Sequence, residues 1–575
     1  MALILKRVER PRELKWFQAG AMLYGDWGTS KAYVLGIAFA LCGHASWFFL
    51  GLMSILTAIV GICYMIICRT YPDGGGVYSS VKHRSQPLAV IGALLLIADY
   101  VVTASLSALS AFQYFNFAHP ELWAIFAIFA IGGINWVGPT KGGSIAVIIG
   151  ITASVAAGVL FVSTLPSLPH VALTMPRGGL MTNWSSFVGI VLALSGVEAV
   201  ANMTGIMAHP VEKTAKRAIW PVLLEVSVLT FLLGIAMNAI PGLTMHIEDM
   251  LRALGNYYIG SWYGQFISVV FGFLLLSAVN TAISDLVSIQ FAMARDRELP
   301  TVFAHLNRFG MPWLALIVAV NVPILVLLIE HDLVRLASFY AIGVVGAITL
   351  NLGATATNFE IKLKSWERTL LFSATVILFF IELTIAFEKH NALIFALSVL
   401  ATGLVLRYAA KLVVPVPIPE EVLSVNVLTV SEAKEIAPLY QSSSLVAIKS
   451  VNPFLLEEAA MRVKAKGENS VYLTYVEESP PSRDLPTELE PSPSSLELLG
   501  QAQKEMEAKG VTAVPVWRFG ENPGKLIADA ARELGVTTVM IGTTKRSALT
   551  NLVRGDVLRT LTRNLPKECH LIISG

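Results

Sequence analysis

Two apolar runs decide most of what this chain can fold into. "LAVIGALLLIADYVVTASLSALSAF" (88–112) and "SWYGQFISVVFGFLLLSAVNTAISDLVSIQFAMA" (261–294) each exceed the roughly 20 residues a helix needs to cross a bilayer. A backbone surrounded by hydrocarbon must satisfy its own hydrogen bonds, so such runs are expected to be membrane helices. Composition agrees. Of 575 residues, 55% are hydrophobic and 14% charged, where ordinary soluble domains carry about a quarter charged. The net charge of +2 offers no argument for nucleic acid, and none is expected as a partner. Cys42, Cys63 and Cys68 lie in or beside the first spans and Cys569 near the end, which suggests no disulfide framework.

Spans are expected near 17–40, 46–68, 87–115, 122–136, 143–165, 184–207, 219–240, 262–290, 313–330, 333–354, 369–386 and 392–410. A basic head (Lys6, Arg7, Arg10, Arg12, Lys15) precedes a first span long enough to be an anchor, so no cleavable signal is expected. Loops on the cytoplasmic side should hold the basic residues. Alternate connections carry Arg69, Lys82 and Arg84; Lys141; Lys213, Lys216 and Arg217; Arg295, Arg297 and Arg308; Lys362, Lys364 and Arg368. The other set carries Arg177, Arg252, Arg335 and Lys389. This asymmetry predicts a multi-pass protein of the inner or plasma membrane, with about twelve spans and both termini cytoplasmic.

Beyond "VVPVPIPEE" the texture changes. Apolar strand-like runs at 444–450, 470–478, 511–520, 536–542 and 569–574 alternate with amphipathic helical stretches. Such alternation predicts a small doubly wound α/β domain. The expected organisation is a transporter-like membrane domain at 1–410, a linker at 411–436 and a cytoplasmic α/β domain at 437–575, with a flexible insertion at 479–495.

Two spans carry residues that lipid does not favour. "YGDWGTS" places Gly25, Asp26, Gly28 and Thr29 inside the first, and "LALSGVEAVANMTG" places Gly196 and Glu198 inside the sixth. Breaks in the first helix of each of two five-helix sets are the pattern of an inverted-repeat secondary transporter, here followed by two extra helices. Unwinding frees backbone carbonyls and half-helix ends that suit a small ion. Asp26, Thr29 and Tyr33 are spaced i, i+3, i+7, as are Tyr100, Thr103 and Ser107 on the third span. Ser195 and Glu198 on the sixth and Tyr340 on the tenth complete a cage of hydroxyl and carboxyl oxygens with no positive charge. That donor set suits a hard monovalent cation and not a transition metal. The structural alternatives are a helix cap for Asp26, a neutral hydrogen-bonded acid for Glu198, and interhelical glue for the hydroxyls. Asp99 reads as a gating or structural acid that points away from the cage, and Asp285 as a packing or gate acid.

The breaks and cage resemble those of the amino acid–polyamine–organocation superfamily, with its LeuT-like 5+5 inverted repeat. "YGDWGTS" resembles the first-span motif of the KUP/HAK/KT potassium permeases. "YPDGGGVYSSVKH", "DYVVTASLS", "ALSGVEAVAN", "MARDRELPTVF" and "YAIGVVG" are similar to the KimA-type group of proton-coupled potassium importers. The resemblance implies that Asp26, Tyr33, Tyr100, Thr103, Ser107, Ser195, Glu198 and Tyr340 line potassium sites. Ser195 stands where threonine is expected. The glycine loop is shared with amino acid permeases and speaks for the fold alone. The tail resembles the universal stress protein superfamily. Its phosphate loop would be "GTTKRSALTNLVRGD", where Gly542 and Gly555 remain but Lys545 and Asp556 replace the second glycine and the hydroxyl. Lys449 stands where nucleotide-binding members have aspartate. Lys545 and Arg546 offer charge to an anion, yet ordinary nucleotide binding is disfavoured, and a structural or homodimerising role is the better reading.

The reading is therefore a non-enzymatic symporter of K+ and H+ working by alternating access, with no resident cofactor. An amino acid/proton symporter of the same fold is the rival, and a transporter-like sensor a remoter one.

Overall fold

The computed structural model describes residues 12, 14–82, 84–137, 142–171, 173–412, 442–478, 491–543 and 556–574, together with the backbone of 3–5, 8–9, 426–428 and 488–489. The helices of the first part are α1 (Trp16–Trp27), α2 (Ser30–Cys42), α3 (Ser46–Thr70), α4 (Val77–Lys82), α5 (Gln86–Tyr114), α6 (Pro120–Trp136), α7 (Gly142–Thr164) and α8 (Leu180–Gly189). They continue as α9 (Ala199–Asn202), α10 (Val211–Ala236), α11 (Met250–Tyr258), α12 (Ser261–Arg295), α13 (Trp313–Ile329), α14 (Leu333–Ala356), α15 (Ser365–Glu388) and α16 (His390–Leu412). Every stretch expected to span the membrane is largely helical, the sixth with an unwound segment at 195–198. Among the described residues, eight helical runs are long and apolar enough to cross a bilayer, or nine with the bent pair Leu180–Gly189 and Val191–Ile206. One of the eight, Trp16–Thr70, is 55 residues long, enough for two crossings at about 1.5 Å per residue. The 17-residue helices α6 and α13 fall short of about 20 residues.

Local chemistry sets the helix starts. Ser85 caps α5 by accepting from the Leu88 N–H, with Pro87 in the first turn, and Asp332 caps α14 by accepting from the Arg335 N–H at 2.8 Å. On the loop before α4, a Cβ on Gly75 would press on Ala201, and one on Gly76 would lie 2.2 Å from the Asn202 side chain. This loop therefore seats directly on α9, with the Gly75 N–H donating to the Ala201 carbonyl at 3.2 Å and the Thr204 hydroxyl at 2.9 Å.

The C-terminal part contains β4 (Ser444–Ile448), β5 (Ser470–Glu478), β7 (Thr512–Gly520), β8 (Thr538–Gly542) and β9 (His570–Ser574). Helices α17 (Pro453–Ala465), α18 (Pro493–Ala508), α19 (Pro523–Leu534) and α20 (Val557–Asn564) run between them. Two strands before the membrane helices, β1 (Leu3–Leu5) and β2 (Val8–Glu9), and two short ones, β3 (Asn426–Leu428) and β6 (Glu488–Leu489), complete the set. The seven-stranded parallel sheet runs β3-β1-β7-β5-β4-β8-β9. The doubly wound α/β domain is as the alternation predicts.

The sheet also differs from the expectation in two respects: Asn426–Leu428, expected in the 411–436 linker, form its edge strand, and a segment from before the membrane helices pairs into it. Leu3–Leu5, assigned above to the membrane domain, form a strand of the tail, with Leu3 opposite Asn426 and Leu5 opposite Val516. Both ends of the membrane domain are thus tied to one sheet. A side-chain contact adds to this tie. The Arg295 guanidinium, at the end of α12, lies 4.9 Å from the Phe519 ring centre, and its Nε is 3.6 Å from Glu477. Asp296 next to it accepts from the Tyr78 hydroxyl at 2.7 Å and pairs with Lys82 of α4.

Candidate functional site

The first span breaks at Gly28–Thr29, between α1 and α2. The Gly28 N–H donates to the Tyr24 carbonyl at 2.9 Å and the Thr29 N–H to the Asp26 carbonyl at 3.2 Å. The Thr29 hydroxyl also donates to that carbonyl. Gly25 was expected to help break the helix but lies inside α1; the interruption comes at Gly28–Thr29, where the hydrogen bonding shifts to an i−3 bond while both residues keep helical angles. In the sixth span, α8 bends by 45° at Ile190 into a 3-10 turn (Val191–Leu194), and the chain unwinds through Ser195 and Gly196 before α9.

The two breaks meet. Gly196 has φ +92°, and a Cβ there would lie 2.6 Å from the Trp27 backbone nitrogen. Only glycine tolerates both the left-handed conformation and this approach. The Glu198 carboxylate accepts from the Gly196 N–H at 3.3 Å through one oxygen, while its Oε2 has no hydrogen-bond partner among the described residues.

Asp26, Tyr33, Tyr100, Thr103, Ser107, Ser195, Glu198 and Tyr340 are all buried. Tyr33 is within electrostatic reach of Asp26 and close to Thr29 and Tyr340, and Tyr340 in turn interacts with Asp99, Asp26 and Glu198. Tyr100 reaches the second break by accepting from Asn202 Nδ2 at 2.8 Å. Ser107 lies two turns further along α5 than Tyr100, on the same face. In the tail, Gly542 ends β8, while Lys545, Arg546 and Gly555 lie outside the described residues. The Lys449 side chain is 83% exposed.

Sequence reasoning misplaced Asp99 and passed over a charge. Asp99 is buried in the cluster, coupled electrostatically to Glu198, Asp26 and Asp285, and the Thr103 hydroxyl donates to its backbone carbonyl at 3.0 Å. Its i, i+4 relation to Thr103 was the available signal, since both then share one helix face. The unseen charge is Lys31, wholly buried at the start of α2. Its ammonium donates to both carboxylate oxygens of Glu225 on α10, at 2.8 and 2.7 Å.

Chemically, a low-dielectric region holding several carboxylates is tolerated only if cations or protons neutralise them. Backbone closes the region on the α4 side, through the glycine loop on α9. On the other side, a Cβ on Gly36 of α2 would lie 1.8 Å from the Ile247 carbonyl oxygen. The arrangement is one of buried carboxyl and hydroxyl groups gathered near the meeting of two interrupted helices.

This architecture is that of a multi-pass membrane transporter with an appended α/β domain. The chain belongs to the amino acid permease family, whose model matches residues 14–415, and it carries a universal stress protein domain matching residues 445–572. It is similar to the potassium transporter KimA of Bacillus subtilis (strain 168), at 26% identity over 442 residues that cover 70% of this chain and 71% of KimA. It is thus a KimA-type transporter of the amino acid–polyamine–organocation superfamily.

The hydroxyls permit a graded test. On the cation reading proposed below, Ser107→Ala removes one ligand oxygen, worth about 1 kcal/mol or roughly a fivefold rise in KM for the cation. Thr103→Val should cost more, about tenfold, because it also removes the bond to the Asp99 carbonyl. Uptake titrations at equal membrane levels check this. Lost expression with unchanged KM would mark the hydroxyls as helix glue.

Proposed function

We propose that this protein is a secondary active transporter that takes up K+ together with H+ by alternating access. Twelve crossings place both termini and the α/β domain in the cytoplasm. Potassium is held where the two breaks meet, by Asp26, Asp99, Tyr33, Tyr100, Thr103, Ser107, Ser195 and Tyr340. Glu198 or Asp26 carries the proton. The observation that supports this most is the clustering of Asp26, Asp99 and Glu198 with buried hydroxyls at that meeting point. The similarity to a potassium transporter supports the same substrate.

The description of the matched family favours a second reading, an amino acid permease. Such a substrate needs free N–H groups at the breaks for its carboxylate. Here the N–H groups of Gly28 and Thr29 are bonded to the Tyr24 and Asp26 carbonyls, and that of Gly196 to Glu198. Asp26 and Glu198 would repel a carboxylate besides. Growth of a potassium-transporter-deficient strain at micromolar potassium distinguishes the two. Rescue by this chain supports potassium uptake, and amino acid uptake without rescue contradicts it.

We assign the tail an assembly role, with a homodimer formed through it and no resident nucleotide. Ending the chain after Leu412 leaves the meeting point of the breaks untouched. The shortened protein is therefore expected to insert with a KM for rubidium within about threefold of the full chain, as distant sites act independently. It is expected to run as a monomer in detergent by light scattering, and a persisting dimer would contradict the assembly role.

A further inference from the structure

One charged group beside the breaks has no part in the transport scheme above. Lys31 lies on α2, just past the Gly28–Thr29 break, and its side chain is fully buried. An ammonium has three protons to donate. They meet Glu225 Oε1 at 2.8 Å, Glu225 Oε2 at 2.7 Å and the Tyr24 hydroxyl at 3.1 Å. Tyr24 lies on α1, on the other side of the break. Its hydroxyl donates to Glu225 Oε1 at 3.0 Å, and its ring centre is 4.7 Å from the ammonium. The triangle therefore joins the half-helix before the break, the half-helix after it, and α10. A lysine that merely glued two helices would not need to bridge the interruption of one of them.

We propose that Lys31, Glu225 and Tyr24 form an ionic clasp that sets the angle between the two halves of the first span and so positions Asp26. Rotation of α2 relative to α1 would pull the ammonium from the tyrosine or from the carboxylate, and a buried charge that loses its partner is strongly disfavoured. The interruption is thus a joint held at one angle. The two charges also cancel, so the clasp places no net positive charge against the cation site. These are positioning residues, and the assignment rests on the reading of the breaks as a cation site.

The consequences are asymmetric. Glu225→Gln leaves a bare ammonium five residues from Asp26, whereas Lys31→Met leaves a carboxylate. Both should raise the KM for rubidium in the full-length protein by about tenfold or more, and Glu225→Gln by the larger factor, because its residual charge repels the cation. The double variant relieves the uncompensated charge but also lacks the clasp, so its KM should fall below that of Glu225→Gln while staying at least about threefold above wild type. Tyr24→Phe should raise KM by a smaller factor with unchanged membrane level.

The angle itself is read by electron–electron resonance between spin labels at Phe17 and Leu41, both exposed, with Cys42 and Cys569 replaced by serine. A single narrow distance is expected in wild type, broadened in each single variant and still broadened in the double variant, which lacks the clasp. Unchanged distances and KM in both single variants would overturn the clasp, as would a double variant with the wild-type distance and KM. If the wild type takes up no rubidium, the transport reading fails, and the distances alone decide on the clasp.

Discussion

Asp26→Asn is expected to abolish potassium uptake while leaving the protein folded in the membrane. The change preserves shape and removes one charge. At about 3 Å and an effective dielectric near 20, a carboxylate attracts a monovalent cation by roughly 5 kcal/mol, so a loss of at least a hundredfold in affinity is expected even after partial compensation by Asp99. Asp26 sits in the last turn of α1, one residue before the backbone that Gly196 touches, and is buried. A pure cap would behave otherwise. Asparagine can cap a helix about as well as aspartate, so a structural role predicts near-normal uptake. Rubidium uptake with quantified membrane protein separates the two, and retained uptake with normal KM removes Asp26 from the site.

Gly196→Ala is the second large effect expected. Its φ of +92° is strained for any residue with a Cβ, at about 1–2 kcal/mol. Overpacking against the Trp27 backbone adds about 1–3 kcal/mol, since the obstacle is main chain and cannot swing aside. The breaks must separate or the sixth span must re-bend. Either outcome moves Ser195 and Glu198 away from Asp26, and uptake should fall by a hundredfold or more, together with a lower unfolding temperature. Wild-type uptake by this variant would mean that contact between the breaks is dispensable.

The broad architecture was legible because lipid leaves a chain few choices. Runs such as 88–112 can only be helices, and strand–helix alternation after 440 marks the α/β domain to within two or three residues at each strand. The break at Gly28–Thr29 and the special backbone of Gly196 were readable because polar and flexible residues interrupted apolar sequence. What escaped has two physical causes. The pairing of Leu3–Leu5 with Asn426–Leu428 joins segments more than four hundred residues apart, and nothing local in "LIL" encodes it. Lys31 and Glu225 are 194 positions apart, so each looked like an isolated charge near an apolar span. Read singly, a lysine beside a helix break suggests a snorkelling surface residue; read as a pair, it marks a buried contact. Asp99 was misjudged for a related reason, since the face of α5 carrying Asp99 and Thr103 also carries Ser107, and attention to Tyr100 shifted the assumed face by one residue.

Cation–proton coupling at the meeting of the two breaks is the central claim, and purified protein in potassium-free liposomes tests it most directly. With rubidium outside at micromolar concentration and an acid-outside gradient, rubidium should accumulate while an internal dye reports acidification that depends on rubidium. Both signals should vanish in Asp26→Asn. Accumulation of an amino acid with acidification, and none of rubidium, would contradict the account.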